Sequence, residues 1–130
     1  MDEKTFRAYL AEFNAANYDA LAGYYADDVT FSFANGITLK GRDAVISFYR
    51  PMHEAVRETV DIRFLVMDSQ HVAVELNAEF RARRDYDKFP RRPLKAGDAV
   101  RIISFIHYDI GPDGRFTDIR IGNYRDQENP

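Results

Sequence analysis

The stretch Val72-Ala73-Val74-Glu75-Leu76-Asn77-Ala78-Glu79-Phe80-Arg81 decides how this chain is read. Apolar side chains at 72, 74, 76, 78 and 80 alternate with Ala73, Glu75, Asn77, Glu79 and Arg81, the period of a strand with one buried face. Upstream, Asp68-Ser69-Gln70 reads as a turn, and Ile62, Phe64 and Val66 alternate with Arg63 and Leu65. Downstream, residues 84–98 hold Pro90, Pro93 and Gly97 and read as a long hairpin connection. Val100 to Ile110 is apolar on both faces, as a central strand covered twice should be. Pro112-Asp113-Gly114 then turns the chain into a last strand, Phe116 to about Tyr124.

The first half reads as helical. Phe6, Leu10 and Phe13, with Tyr9 beside them, stripe one helix face. Asn17 is placed to cap a second helix carrying Tyr18, Leu21 and Tyr25, which is expected to stop at Asp27-Asp28. Val29 to Phe33 alternates as a strand, and Asn35-Gly36 signals a turn before Ile37-Thr38-Leu39. A third helix follows Gly41 with Ala44, Val45, Phe48 and Tyr49 inward, and Pro51 predicts a kink or break. Helices followed by antiparallel strands predict an α+β domain over residues 1–130, its three helices on the concave face of a curved sheet. A long twisted sheet curls, and its concave side leaves a cone-shaped cavity.

Composition narrows the function classes. Apolar residues at 45% and charged residues at 30% exclude a disordered chain. A net charge of −3 does not favour nucleic acid, and the absence of cysteine removes thiol catalysis and zinc–thiolate sites. No apolar run approaches membrane-helix length and the charged N-terminus lacks a signal-peptide core, so the cytoplasm is the expected setting.

Tyr9, Tyr25 and Tyr49 fall at matching places on the three predicted helices. Packed over one sheet, their phenols would meet in an apolar interior. A buried hydroxyl needs a partner, so linked phenols leave one O–H to point at a ligand oxygen. Alternation puts Ser104 and Tyr108 with Ile102 and Ile106, and Thr117, Ile119 and Ile121 with Asn123. On concave faces, Ser104, Tyr108 and Asn123 are polar anchors, with Phe33, Phe48, Phe80, Ile106 and Ile121 as an apolar wall. His53, after Pro51, is expected at the cavity mouth as a titratable base. His71 is expected in solvent and His107 on the outer face beside Phe105 and Ile103, where a homodimer would cover an apolar patch. The three histidines show no metal-ligand spacing, so neither a metal site nor a cofactor is expected. Asp27-Asp28 suits a turn, and the basic hairpin from Arg81 to Lys95 reads as a solvated face diluted by Asp85, Asp87 and Asp98.

Asn17-Tyr18-Asp19-Ala20-Leu21, Tyr25 to Phe31, Gly41 with Phe48-Tyr49, and Asp113-Gly114-Arg115-Phe116 together resemble the nuclear transport factor 2-like superfamily, in its ketosteroid isomerase and SnoaL-like polyketide cyclase branch. The resemblance implies that Tyr9 matches the isomerases' oxyanion-hole tyrosine, with Tyr25 and Tyr49 behind it. It also implies that the family's carboxylates would fall on Phe33, Ile106 and Ile121, all apolar here. Two functions stay open on this reading. One is an isomerase- or cyclase-like protein acting on an apolar carbonyl compound, with Tyr9 as electrophilic donor and His53 as proton carrier. The other is a non-catalytic binding or dimerisation module on the same scaffold, which the missing carboxylates favour.

Overall fold

The computed structural model describes residues 1–128, with side chains described as far as position 124. Three helices, α1 (Glu3–Asn14), α2 (Tyr18–Ala22) and α3 (Arg42–Ala55), accompany six strands. These are β1 (Tyr25–Ser32), β2 (Thr38–Lys40), β3 (Val56–Met67), β4 (His71–Ala82), β5 (Ala99–Ile110) and β6 (Phe116–Glu128). They form one sheet in the order β2-β1-β6-β5-β4-β3. Only β1 and β6 run parallel, so the sheet is mixed and the class is α+β, as the sequence predicts. Among the described residues, no helix is long and apolar enough to cross a membrane.

Local signals account for most boundaries. The Asn17 side chain accepts from the Ala20 N–H and starts α2. Asp68 accepts from the Gln70 and His71 amides and holds the β3–β4 turn. Gly36, at φ 89°, occupies the left-handed position of the turn closed by Phe33 N–H to Ile37 C=O.

Three expectations need correcting. The second helix ends at Ala22, and Tyr25 opens β1 instead of lying on that helix. Gly23 is the cap: it costs more than other residues inside a helix, and the extended chain beyond it pairs with Phe116 on β6. Pro51 does not break α3, which runs on to Ala55. The proline faces solvent near the helix end, where water can serve the carbonyl deprived of its donor. On β6, the register shifts between the Asp109 and Ile110 pairings, so Phe116, Ile119 and Ile121 reach the interior while Thr117 bonds the Asp109 carbonyl.

Inward residues of β4 and β5 meet in rows fixed by the pairing: Val72 with Tyr108, Val74 with Ile106, Leu76 with Ser104, Ala78 with Ile102. Helix α1 covers these rows through Phe6, Tyr9, Leu10 and Phe13. Its far end is pinned to β3, an edge strand with one side unpaired. The Asn14 amide donates to the Val60 carbonyl at 2.9 Å, and its oxygen accepts from the Val60 N–H at 2.7 Å. One side chain thus satisfies both groups that the sheet edge leaves open. Asn14→Ala should cost about 1–3 kcal/mol in urea unfolding, with Asn14→Asp in between because it can only accept. Two midpoints equal to wild type would refute this anchoring.

Candidate functional site

A cavity of about 330 Å³ lies between the helices and the concave sheet face. That is within the range of small-molecule sites. Of the residues singled out from sequence, Tyr9, Phe33, Phe48, Tyr49, Phe80, Ser104, Ile106, Tyr108, Ile121 and Asn123 line it, whereas Tyr25 and His53 do not.

Tyr9 and Tyr25 are both buried, and their hydroxyls lie 2.8 Å apart. Burial pushes both phenols up, and each senses the other. Tyr25 sits one layer behind the wall and supports Tyr9 from there. The expected third member is absent from this pair: among the described residues the Tyr49 hydroxyl has no hydrogen-bond partner. Its ring stacks on His53 and meets Phe13 edge-on. Tyr108 takes the place expected of Tyr49. Its buried ring packs against Tyr9, Phe6 and Phe116, and its phenol is pushed up by burial and by Tyr25.

Higher in the cone, Ser104 Oγ donates to Asn123 Oδ1 at 3.1 Å. The two residues face each other across β5 and β6, and both line the cavity. The loop after β1 and the segment Lys88-Phe89-Pro90-Arg91 of the β4–β5 connection form the remaining rim. Phe33, Ile106 and Ile121 are apolar wall, so the positions implied for family carboxylates carry none.

The cavity nevertheless holds a carboxylate that the sequence reading missed. Glu58, on β3, is the one acidic side chain among the described lining residues. It shares the parity of Val60 and Ile62, so alternation would have turned it inward had the strand been extended upstream of Ile62. Its side chain is 9% exposed and faces His53, with Nε2 to Oε1 at 3.0 Å. The other ring nitrogen, Nδ1, lies 2.6 Å from the Tyr18 hydroxyl. His53 is therefore not a base at the mouth. It lies on α3, buried behind the wall, and its ring packs between Tyr49 of the same helix and Phe13 of α1.

This chain can exist in two balanced forms. With Glu58 ionised, His53 Nε2–H donates to it and Nδ1 accepts from Tyr18. With Glu58 protonated, its O–H donates to Nε2 and Nδ1–H donates to Tyr18. Burial pushes Glu58 above its ordinary range, and the bond from His53 only partly opposes this. The charge of Glu58 is in turn felt by Tyr25, Tyr49 and Tyr108. A hydrogen-bond donor and an acid–base group thus share one apolar chamber.

A raised carboxylate means that the folded chain holds this proton more tightly than the unfolded one does. Stability should then fall as pH rises from about 4.5 through the raised folded value. Glu58→Gln removes that penalty, so the variant should gain on wild type progressively above pH 4.5. Urea unfolding between pH 4 and 8 measures the difference, and a constant offset across that range would contradict the assignment.

Residues 6–119 match the SnoaL-like domain family. No functionally curated protein matches the chain. Among solved structures, a candidate polyketide cyclase from Xanthomonas campestris pv. campestris is 25% identical, with a TM-score of 0.74 over 92% of this chain and 86% of that one. An LEH-like epoxide hydrolase of M. tuberculosis shares 16% identity at TM-score 0.74, covering 93% and 80% of the two chains. A computationally designed 17-OHP binder shares 20% at TM-score 0.71, covering 92% and 88%. With the cone, its helices and the matched segment in agreement, the chain belongs to the SnoaL-like domain family.

Proposed function

We propose that the protein binds an apolar small molecule whose carbonyl or hydroxyl oxygen accepts from Tyr9, and that Glu58 exchanges a proton with it. The carrying observation is Glu58 itself, buried in the cavity wall and partnered on its far side by His53. For an enolisable carbonyl compound the carboxylate takes a proton from the carbon next to the carbonyl. The electron pair of that C–H bond moves to oxygen, where the Tyr9 O–H stabilises it. Return of the proton at another carbon completes an isomerase-like cycle, and a cyclase-like step would use the same enolate as a carbon nucleophile. His53 and Tyr18 hold Glu58 in place and let its proton shift without opening the chamber to water. The likeness to a candidate polyketide cyclase supports this substrate class, and a designed 17-OHP binder shares the fold.

The second reading, a binding module without chemistry, is favoured by the apolar residues at Phe33, Ile106 and Ile121. Two probes separate them. 2-Naphthol, fluorescent and phenolic, should bind wild type, and Tyr9→Phe should weaken it about tenfold. β-Tetralone incubated in deuterium oxide should exchange its α-hydrogens faster with protein than without. Glu58→Gln should reduce that acceleration by at least about 10²-fold while keeping naphthol affinity. Naphthol binding without accelerated exchange leaves the binding module, and equal naphthol affinity in Tyr9→Phe removes the donor role.

A homodimer is proposed on the opposite sheet face. Phe64, Phe105 and Tyr124 are 61%, 50% and 56% exposed there, although Ile103, expected beside them, is buried. A second copy seated on this aromatic patch would bury them. Phe64→Asp with Phe105→Asp should then yield a monomer by light scattering. A wild-type chain that is already monomeric at high concentration would refute it.

A further inference from the structure

The outer face of β4, β5 and β6 carries a cluster that the cavity does not use. His71 stands directly opposite Asp109, and His107 lies two residues before Asp109 on β5. His71 Nδ1 is 3.1 Å from Asp109 Oδ1, His107 Nε2 is 3.3 Å from His71 Nδ1, and His107 Nε2 is 3.4 Å from Asp109 Oδ1. Three atoms that can each present a lone pair thus form a nearly equilateral triangle. Tetrahedral coordination with bonds of 2.0–2.1 Å needs donor atoms about 3.3 Å apart.

From this we propose that His71 Nδ1, His107 Nε2 and Asp109 Oδ1 form a binding site for a divalent transition-metal ion, with the fourth position open to solvent. Two imidazoles and one carboxylate suit zinc, nickel or copper, whereas magnesium and calcium want an all-oxygen shell. In binding, each neutral ring ligates through the nitrogen facing the triangle and carries its proton on the other one: Nε2 of His71 and Nδ1 of His107.

Arg120 sets the competition. Its guanidinium donates to Asp109 Oδ2 at 3.2 Å, to Asp109 Oδ1 at 3.3 Å and to His107 Nδ1 at 2.7 Å, and it also pairs with Asp118. A protonated Nδ1 on His107 cannot accept from it, so metal entry moves Arg120 off His107 and towards Asp118. Its bond to Asp109 Oδ2 is compatible with ligation through Oδ1 and would orient the carboxylate. The arginine thus acts as an internal cation that a metal ion must displace in part. The sequence conceals this grouping because His71 and His107 are 36 residues apart and meet only through the antiparallel register.

Isothermal titration of the tag-free full chain with zinc chloride, in a non-coordinating buffer near pH 7.5, tests the site. One ion should bind per chain, and magnesium should give no heat. His71→Ala and His107→Ala should each weaken binding by more than about 100-fold, a larger loss than an outer-shell partner gives. Asp109→Asn should weaken it less, and Arg120→Gln should tighten it several-fold. All four side chains lie on the surface, and a thermal melt of each variant confirms folding. No zinc binding by wild type, unchanged binding in His107→Ala, half an ion per chain, or weaker binding in Arg120→Gln would each overturn the proposal.

Discussion

Everything in this structure depends on the inward faces of β4 and β5, twelve residues each, whose alternate side chains must leave water. The covering helices are unequal to the task, because α2 has only five residues and α3 turns into β3 at Val56. At one end the cover is complete: Phe6, Tyr9, Tyr25, Tyr108 and Phe116 interlock there at ring spacings of 4.7 to 6.3 Å. Towards the other end the sheet outruns the helices, and the apolar rows from Ile106 to Phe80 border open space. Each 100 Å² of apolar surface left wet there forgoes about 2.5 kcal/mol, which a ligand of matching shape recovers.

The polar groups of the chamber show where stability has been given up. An ionised carboxylate loses several kcal/mol of hydration when buried, and a single histidine offsets only part of that. A valine at position 58 would continue the apolar parity of Val60 and serve the core better. Glu58 is instead kept partnered through His53 and Tyr18, and the Tyr18 ring carries the Arg50 guanidinium 4.8 Å above it. That arrangement keeps a proton near the cavity without opening the wall, whereas the Tyr9–Tyr25 pair supplies a donor that stays neutral. Burial raises both the Glu58 carboxyl and the phenols, so the phenols stay protonated as hydrogen-bond donors while the carboxyl is the more readily ionised of the two kinds of group.

Sequence patterns revealed the elements better than the contacts between them. The alternation through Val72–Phe80, the Asn17 cap and the Asn35-Gly36 turn each rest on local chemistry, and each appears where expected. Residues 18, 21 and 25 also fit a helical stripe, and only pairing with β6 decides for a strand at Tyr25. A charged residue such as Glu58 looks like a solvated strand end until the cover above it is known. The matching positions on the predicted helices point to the Tyr9–Tyr25 bond, but Tyr108 takes the place expected of Tyr49, a choice made by ring packing that no spacing encodes.

One strand links the two faces of the molecule. On β5, Ser104, Ile106 and Tyr108 look into the cavity, while Phe105, His107 and Asp109 look out. A slip of one residue would exchange the two sets, placing two ionisable side chains in the apolar chamber and the cavity wall in water. That exchange is far too costly to compete, so the register is fixed by the inner face alone. The outer face inherits its geometry from that choice. The near-equal distances among His71, His107 and Asp109 are therefore set by the same hydrophobic rows that hold Ser104 opposite Asn123, and Arg120 is brought to them by the pairing of β6 that carries Ile119 and Ile121 inward.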